Sequence, residues 1–273
     1  MLEAIKKIFA PKTGVKKSFN YQQPLMDKVI EENRHALSLV NNWIDAAAFE
    51  KSFFKYGVPD YIKIHLNKPI NKSVTYTDIM AYILKKHFEE LNYLEIGVSV
   101  GKNFFQLLES TNNATFTGFD IEEITPVIER RLIFKEKSEW ETPVKSIKKT
   151  KSSFKKFDYK GLEVNYLCAD VWDENSWAKL KGNKYNLVFS DALHTPDAIL
   201  FEFEMLVKYE LLDEKFVIVW DDLVGKMRNS FFKIIKKYDQ KYQIQDIYLL
   251  AVNGWIGENE TPHSLGIISN FLL

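Results

Sequence analysis

The apolar residues of this chain change their spacing near residue 93. Before that point they fall at helical intervals. From Pro24 to about Phe53, Leu25, Val29, Ile30, Leu37, Leu39, Val40, Trp43 and Ile44 recur at loosely helical spacing. Pro59, Pro69 and the polar run Asn71-Lys72-Ser73 read as loop. Thr77 or Asp78 stands where a cap would start a helix from Ile79 to about Leu91, with Met80, Ile83, Leu84 and Phe88 on one face. From residue 93 short apolar runs alternate with helical stretches. Tyr93–Ile96, Thr115–Asp120, Val164–Cys168, Tyr185–Ser190 and Phe216–Trp220 are predicted as strands. Lys102–Ser110, Ala198–Tyr209 and Ser230–Tyr238 are predicted as helices between or after them. Strands apolar throughout predict a parallel sheet covered on both faces. Ile244–Val252 and Ser264–Leu272, joined by Asn253–His263, predict a closing hairpin at the end of that sheet.

One segment interrupts the rhythm. Residues 130–160 hold Arg130, Arg131, Lys135, Lys137, Lys145, Lys148, Lys149, Lys151, Lys155, Lys156 and Lys160 against Glu136, Glu139, Glu141 and Asp158. This reads as an insertion between the second and third strands, a solvated loop or helix. Its other reading is a lid or a contact for an anionic partner.

Composition narrows the function classes. Lys+Arg and Asp+Glu are equal at 37 each, so no global field draws the chain to nucleic acid or to an anionic membrane. At 46% hydrophobic, it has the material for a sizeable core. The lone Cys168 rules out an internal disulfide and a multi-cysteine zinc site. The opening Met-Leu-Glu-Ala-Ile-Lys-Lys is too short an apolar stretch for a signal peptide, and no run of about 18 apolar residues predicts a membrane span. A cytoplasmic location is the expectation.

The chemistry starts at the turn after the first predicted strand, Glu95-Ile96-Gly97-Val98-Ser99-Val100-Gly101-Lys102. A dinucleotide site asks for G-x-G-x-x-G, and those positions here hold Gly97, Ser99 and Lys102, so the third glycine is missing. A P-loop fails because no G-K-[ST] closes the turn. What remains is an acid, two glycines and a helix N-terminus with free N–H groups and a positive dipole end. Gly97 is read as letting backbone approach a ligand, and Gly101 as easing entry into the helix. The second predicted strand ends in Gly118-Phe119-Asp120 and the third in Ala169-Asp170-Val171-Trp172.

This ordered set resembles the class I S-adenosylmethionine-dependent methyltransferases, whose first motif is usually written (D/E)-x-G-x-G-x-G. Ser99 replaces the middle glycine. The resemblance covers about residues 75–273, with 1–74 as a helical N-terminal extension. It implies a Rossmann-like, doubly wound α/β fold with a mostly parallel seven-stranded sheet and a C-terminal antiparallel hairpin. It implies S-adenosylmethionine contacts from Glu95, Gly97, Ser99, Gly101, Asp120, Ile121, Asp170, Val171 and Asp191. In that reading Glu95 orients the loop or accepts from the ligand's ammonium group, Asp120 takes both ribose hydroxyls, and Asp170 lies near the adenine.

The subclass is read after the fourth and fifth strands. The (N/D)-P-P-(Y/F) turn of amino-directed nucleic-acid methyltransferases is absent. Ser190-Asp191-Ala192-Leu193-His194 instead resembles the D-x-x-H turn of metal-dependent small-molecule O-methyltransferases, and Trp220-Asp221-Asp222-Leu223 the acidic pair that accompanies it. Strand ends converge at one sheet edge in such folds, so Asp191, Asp221 and Asp222 would meet there and call for a cation such as Mg²⁺. His194 and Asp191 are the expected catalytic residues, His194 as base. His263 is within reach of the site but reads as a loop histidine, and Trp172, Trp177, Trp220 and Trp255 read as core. The expected partner is a small hydroxylated molecule, a sugar or secondary metabolite. A membrane is not expected, nucleic acid is disfavoured, and the extension or insertion is the expected homo-oligomer contact. The alternatives are a metal-independent methyltransferase acting on RNA or protein, and a degenerate fold that binds the cofactor without catalysis.

Overall fold

The computed structural model describes residues 14–44, 55–58, 60–63, 65–70, 73–144, 147–254 and 263–273. The expected helix continuation over 45–53, Pro59, Asn71, Lys72, Lys145, Trp255 and the connection 255–262 lie outside them. In chain order the elements are α1 (Gln23–Ser38), α2 (Asp60–Lys63), α3 (Tyr76–His87), β1 (Leu91–Ile96), α4 (Lys102–Glu109), β2 (Ala114–Asp120) and α5 (Pro126–Glu129). There follow β3 (Ile133–Val144), β4 (Ile147–Tyr159), β5 (Leu162–Cys168), α6 (Glu174–Ala178), β6 (Tyr185–Ser190) and α7 (Pro196–Lys208). The chain closes with β7 (Leu212–Trp220), α8 (Lys226–Tyr242), β8 (Asp246–Val252) and β9 (His263–Ser269). Among the described residues, no helix is long and apolar enough to cross a membrane.

Among the described residues, nine strands form one sheet in the order β3-β4-β5-β2-β1-β6-β7-β9-β8. The run β5-β2-β1-β6-β7 is parallel. β9 joins β7 antiparallel and pairs with β8, the closing hairpin that the sequence pattern predicts. The chain is thus a doubly wound α/β fold whose strand order reverses between β1 and β6. Alternation explains the double coating. Tyr93, Leu187, Phe189, Val217 and Val219 face a core shared with α3 and α4. Leu94, Ile96, Val188, Ile218 and Trp220 face a second core with α7 and α8. Every residue of β6 is buried, the signature of a strand covered on both sides.

The sheet has two strands more than the seven expected, and the 130–160 segment supplies them. It is neither a solvated loop nor a helix. β3 and β4 form an antiparallel hairpin, and β4 pairs along β5 from Ser153↔Cys168 to Tyr159↔Leu162. Pairing covers what would otherwise be the exposed ladder of β5. The basic charges are widely matched: Lys137 and Lys151 with Glu139, Lys155 with Glu123 and Glu129, Lys156 with Glu136, and Lys160 with Glu109.

The segment before β1 packs on the same core. Met26, Val29 and Trp43 belong to the cluster that holds Phe105 and Leu107. Helix α3 starts earlier than the sequence suggested. Thr75, not Thr77 or Asp78, is the cap. Its Oγ1 accepts the Asp78 N–H (3.3 Å), and Asp78 accepts back from Thr75 N (2.8 Å), a capping box. Asp78 also receives Asn33 Nδ2 (2.8 Å) and Arg34 Nη2 (2.8 Å), which ties α1 to α3.

Candidate active site

Ligand sites in this architecture lie beyond the strand C-termini at the switch point. That edge is stitched by backbone bonds between neighbouring strand ends. Gly97 N donates to Phe119 O (2.8 Å), Ala169 N to Asp120 O (2.7 Å), Asp191 N to Ile96 O (2.7 Å) and Asp221 N to Ser190 O (3.0 Å). The acids at these ends are therefore held in a fixed row.

The turn after β1 is shaped by its glycines. Gly97 has φ +87°, and a Cβ there would stand 2.5 Å from the backbone N and Cα of Ala192. The glycine is required by the loop after β6, which packs directly on the turn. Gly101 caps α4 with φ +80°, and a Cβ would meet Ile128 Cδ1 at 2.1 Å. Ser99 also lies in the left-handed region, at φ 52°, and its hydroxyl donates to the carbonyl of Tyr56. A serine stands there because its side chain ties the turn to the N-terminal segment.

Asp120 holds this turn. Its Oδ2 accepts the N–H groups of Val98 (2.7 Å) and Ser99 (2.8 Å), and Oδ1 accepts that of Glu122 (2.9 Å). Each carboxylate oxygen has two lone-pair sites. With Oδ2 filled by two donors, Oδ1 is the oxygen open to a hydroxyl, so taking two ribose hydroxyls at once requires the turn to release an N–H. Burial raises Asp120's pKa against the pull of these bonds. Ile121 follows, and its carbonyl accepts from Cys168 Sγ (3.5 Å). Asp170 is buried at the end of β5, where Oδ1 accepts Trp172 N (2.9 Å) and no described donor is paired with Oδ2. Val171 is buried, and its carbonyl accepts Trp177 Nε1 (2.8 Å). Trp177 and Trp220 are core, as expected, while Trp172 is part-buried against Phe201.

Glu95 is already engaged within the protein. It accepts from Tyr93 Oη (2.7 Å) and Asn103 Nδ2 (2.8 Å), inside the packing of β1 on α4. Burial drives its pKa well above the carboxylate range. In this geometry Glu95 is a strut between strand and helix.

On the other side of the switch point a dense titratable cluster forms. His194 Nε2 lies 2.9 Å from Asp191 Oδ1, and Nδ1 lies 3.1 Å from Asp222 Oδ2. His263 Nδ1 lies 2.6 Å from Asp221 Oδ2 and 3.6 Å from Asp222 Oδ1. Asp222 reaches inward because its backbone is left-handed, at φ 51°, a position that strains a non-glycine residue. Asp191, Asp221 and Asp222 thus meet as expected from the strand order, and His194 sits between two of them. His263 completes the cluster although sequence reasoning put it in a loop. It is the first residue of β9, and Tyr76 packs edge-on against it with ring centroids 5.6 Å apart.

Electrostatics fixes the protonation of the cluster. Burial alone would lower the pKa of His194, but its bonds to Asp191 and Asp222 push it up to about 10. With both nitrogens donating to carboxylates it is an imidazolium at neutral pH, so it must first lose a proton before it can act as a base. Burial and the neighbouring Asp221 push Asp191 up to about 7, against the pull of His194. His194 lowers the pKa of Asp222. Below the cluster, Ser190 Oγ donates to Glu202 Oε2 (2.5 Å), and burial pushes Glu202 up to about 8. Sequence reasoning missed Glu202. The signal was a lone acid between Ile199 and Phe203 on the buried stripe of α7.

One carboxylate oxygen each from Asp221 and Asp222 and one nitrogen of His263 lie within 4.8 Å of one another, a donor set that fits a divalent ion. Asp191, expected among the ligands, is not in that set; its Oδ1 meets His194 instead. An imidazole among the donors suits Mn²⁺ or another transition ion better than Mg²⁺.

No protein family matches this chain by sequence, and no curated protein does. Several solved structures are similar in backbone. The O-methyltransferase TomG from Streptomyces achromogenes, bound to S-adenosylmethionine, is 11% identical with a TM-score of 0.45, over 89% of each chain. The plantazolicin methyltransferase BpumL is 12% identical with a TM-score of 0.43, over 90% of this chain and all of that one. The methyltransferase PaMTH1 of Podospora anserina is 12% identical with a TM-score of 0.40, over 93% of this chain and 98% of that one. At such scores these likenesses carry no argument about activity.

Proposed function

We propose that this chain is an S-adenosylmethionine-dependent methyltransferase that methylates a hydroxyl of a small molecule with the help of a divalent cation. The observation that carries the reading is the meeting of Asp191, His194, Asp221, Asp222 and His263 at the strand edge beside the Gly97–Gly101 turn. The cofactor would supply an electrophilic methyl group. The turn, with Asp120 and the open Oδ2 of Asp170, suits the binding of its nucleoside. Asp221, Asp222 and His263 would hold the cation, which suits lowering the pKa of a bound hydroxyl. Asp191 orients His194, which would serve as base in its neutral form, after Asp222 is drawn away to the cation and His194 gives its own proton to solvent.

The test is turnover of a hydroxylated acceptor panel with and without Mn²⁺ or Mg²⁺. Asp221→Ala and His263→Ala should each lower activity by about 10²-fold or more at fixed metal, the range of a lost general acid–base or metal contribution. Full activity in EDTA overturns the metal assignment.

A second reading is a degenerate fold without catalysis. It is favoured by the occupation of Asp120 by the turn's own N–H groups and by the packing of Ala192 on Gly97. Methyl transfer to any acceptor that disappears in His194→Ala excludes it.

A further inference from the structure

The two edges of the nine-stranded sheet are treated differently. At β8 the edge is covered: Lys16 N donates to Ile247 O (2.9 Å), and Leu249 N donates to Lys16 O (2.9 Å). At β3 no described segment pairs with the outer side of the strand. This strand spans Ile133–Val144 and is solvent-exposed along most of its length, with Ile133 and Phe134 among the exposed large apolar residues. A long open edge is a template for another strand.

The sequence of β3 names that strand. Reading outward from Ser138, Lys137 mirrors Glu139, and Lys135 mirrors Glu141. Two copies related by a two-fold axis normal to the sheet pair antiparallel with each residue opposite its mirror on the same face. Only even registers keep the faces matched. Centring on Lys137 sets that lysine against itself, and centring on Glu139 sets that glutamate against itself. Centring on Glu136 opposes Lys135 to Lys137, and centring on Trp140 opposes Glu139 to Glu141. The register on Ser138 is the one of these that sets no like charges opposite. It gives Lys137 to Glu139 twice, while Lys135, the bulged residue, and Glu141 place opposite charges just outside that stretch. The β-bulges, at Phe134/Glu136 and Thr142/Val144, fall outside the central stretch Glu136–Trp140.

We propose that β3 is a homodimer interface, in which two copies of this chain join their sheets edge to edge about Ser138. Glu139 keeps its own Lys151 (2.9 Å) and shares Lys137 across the axis. Neither the closing hairpin nor the strand-end cluster takes part, so the inference stands apart from the proposed activity.

The full chain is examined by sedimentation velocity and light scattering at micromolar to hundred-micromolar concentration. The wild type should be dimeric, with an association that weakens as salt rises. The all-acidic variant Lys135→Glu/Lys137→Glu and the all-basic variant Glu139→Lys/Glu141→Lys should each self-associate about tenfold or more weakly. An equimolar mixture of the two should restore the dimer, since the mixed pair is complementary; that also shows that both variants are folded. Amide exchange should slow across Glu136–Trp140 in the dimer. A monomeric wild type, a dimer indifferent to either reversal, or a mixture that stays monomeric overturns the proposal.

Discussion

Gly97→Ala adds one methyl group at the point where two parts of the candidate site touch. The new Cβ would lie 2.5 Å from the N and Cα of Ala192 and from the carbonyl carbon of Asp191. Carbon atoms in contact sit about 3.5–4.0 Å apart, so the loop after β6 must retreat by roughly 1 Å or more. None of the three atoms is the end of a flexible side chain; all are backbone. Left-handed φ for a residue with a Cβ costs roughly 1–2 kcal/mol, and overpacking adds about 1–3 kcal/mol, giving ~2–5 kcal/mol. For a chain of this size each kcal/mol lowers Tm by about 2 °C, so a fall of ~4–10 °C is expected. Gly182→Ala is the control. It has φ +96° but nothing within 4 Å of the added Cβ, so it carries the backbone strain alone. Its Tm should fall by only ~2–4 °C. Both are measured by circular dichroism melts under one buffer. Equal falls in the two variants would refute the argument that the turn and the β6 loop are in direct backbone contact.

Other consequences are as direct. In metal-free protein followed by ¹⁵N NMR, His194 should stay protonated well above its ordinary value of 6.5, to about 10, whereas His87, lowered by burial and by Lys86 and Lys215, should stay neutral down to about 4. The signs are opposite: His194 stabilises below 6.5 and loses that contribution as pH rises toward 10, while His87 costs stability as pH falls from 6.5 toward 4. A His194 that titrates near its ordinary value sinks the bridged arrangement with Asp191 and Asp222. Asp78→Ala strips a buried acceptor from Asn33, Arg34 and the start of α3, and removes the carboxylate that Arg34 meets there. A loss of ~3–5 kcal/mol by denaturant melts is expected, and one below ~1 kcal/mol would contradict that role.

The parallel strands were legible in the sequence because a strand buried on both faces carries a continuous apolar run, as Leu187–Phe189 does in β6. The acids that end β2, β5, β6 and β7 were legible for the same reason, since each interrupts an apolar run at the sheet edge. The β3–β4 hairpin was not. Its lysines and glutamates answer one another across strands, and bulges break the period-two pattern that would mark Phe134, Trp140, Phe154 and Phe157 as strand residues. The cap of α3 was misread by a few residues, because Thr75 and Thr77 are both capping types and only the bond to Asp78 separates them. His263 was read as within reach of the site but as a loop residue, because it lies 42 residues from Asp221 in the chain and meets it only through the antiparallel return of β9. The roles of Gly97 and Asp120 depend likewise on contacts made by folding: one glycine accommodates Ala192, and one carboxylate gathers three backbone N–H groups.

On the reading proposed above, the glycine turn and the row of strand-end acids form a cofactor site. Isothermal titration of the full-length protein with S-adenosylhomocysteine measures it most directly, with Asp170→Ala beside the wild type. Saturable one-to-one binding in the micromolar range, weakened by about tenfold in Asp170→Ala through loss of one to two hydrogen bonds, is the predicted result. No heat of binding at millimolar ligand would contradict it.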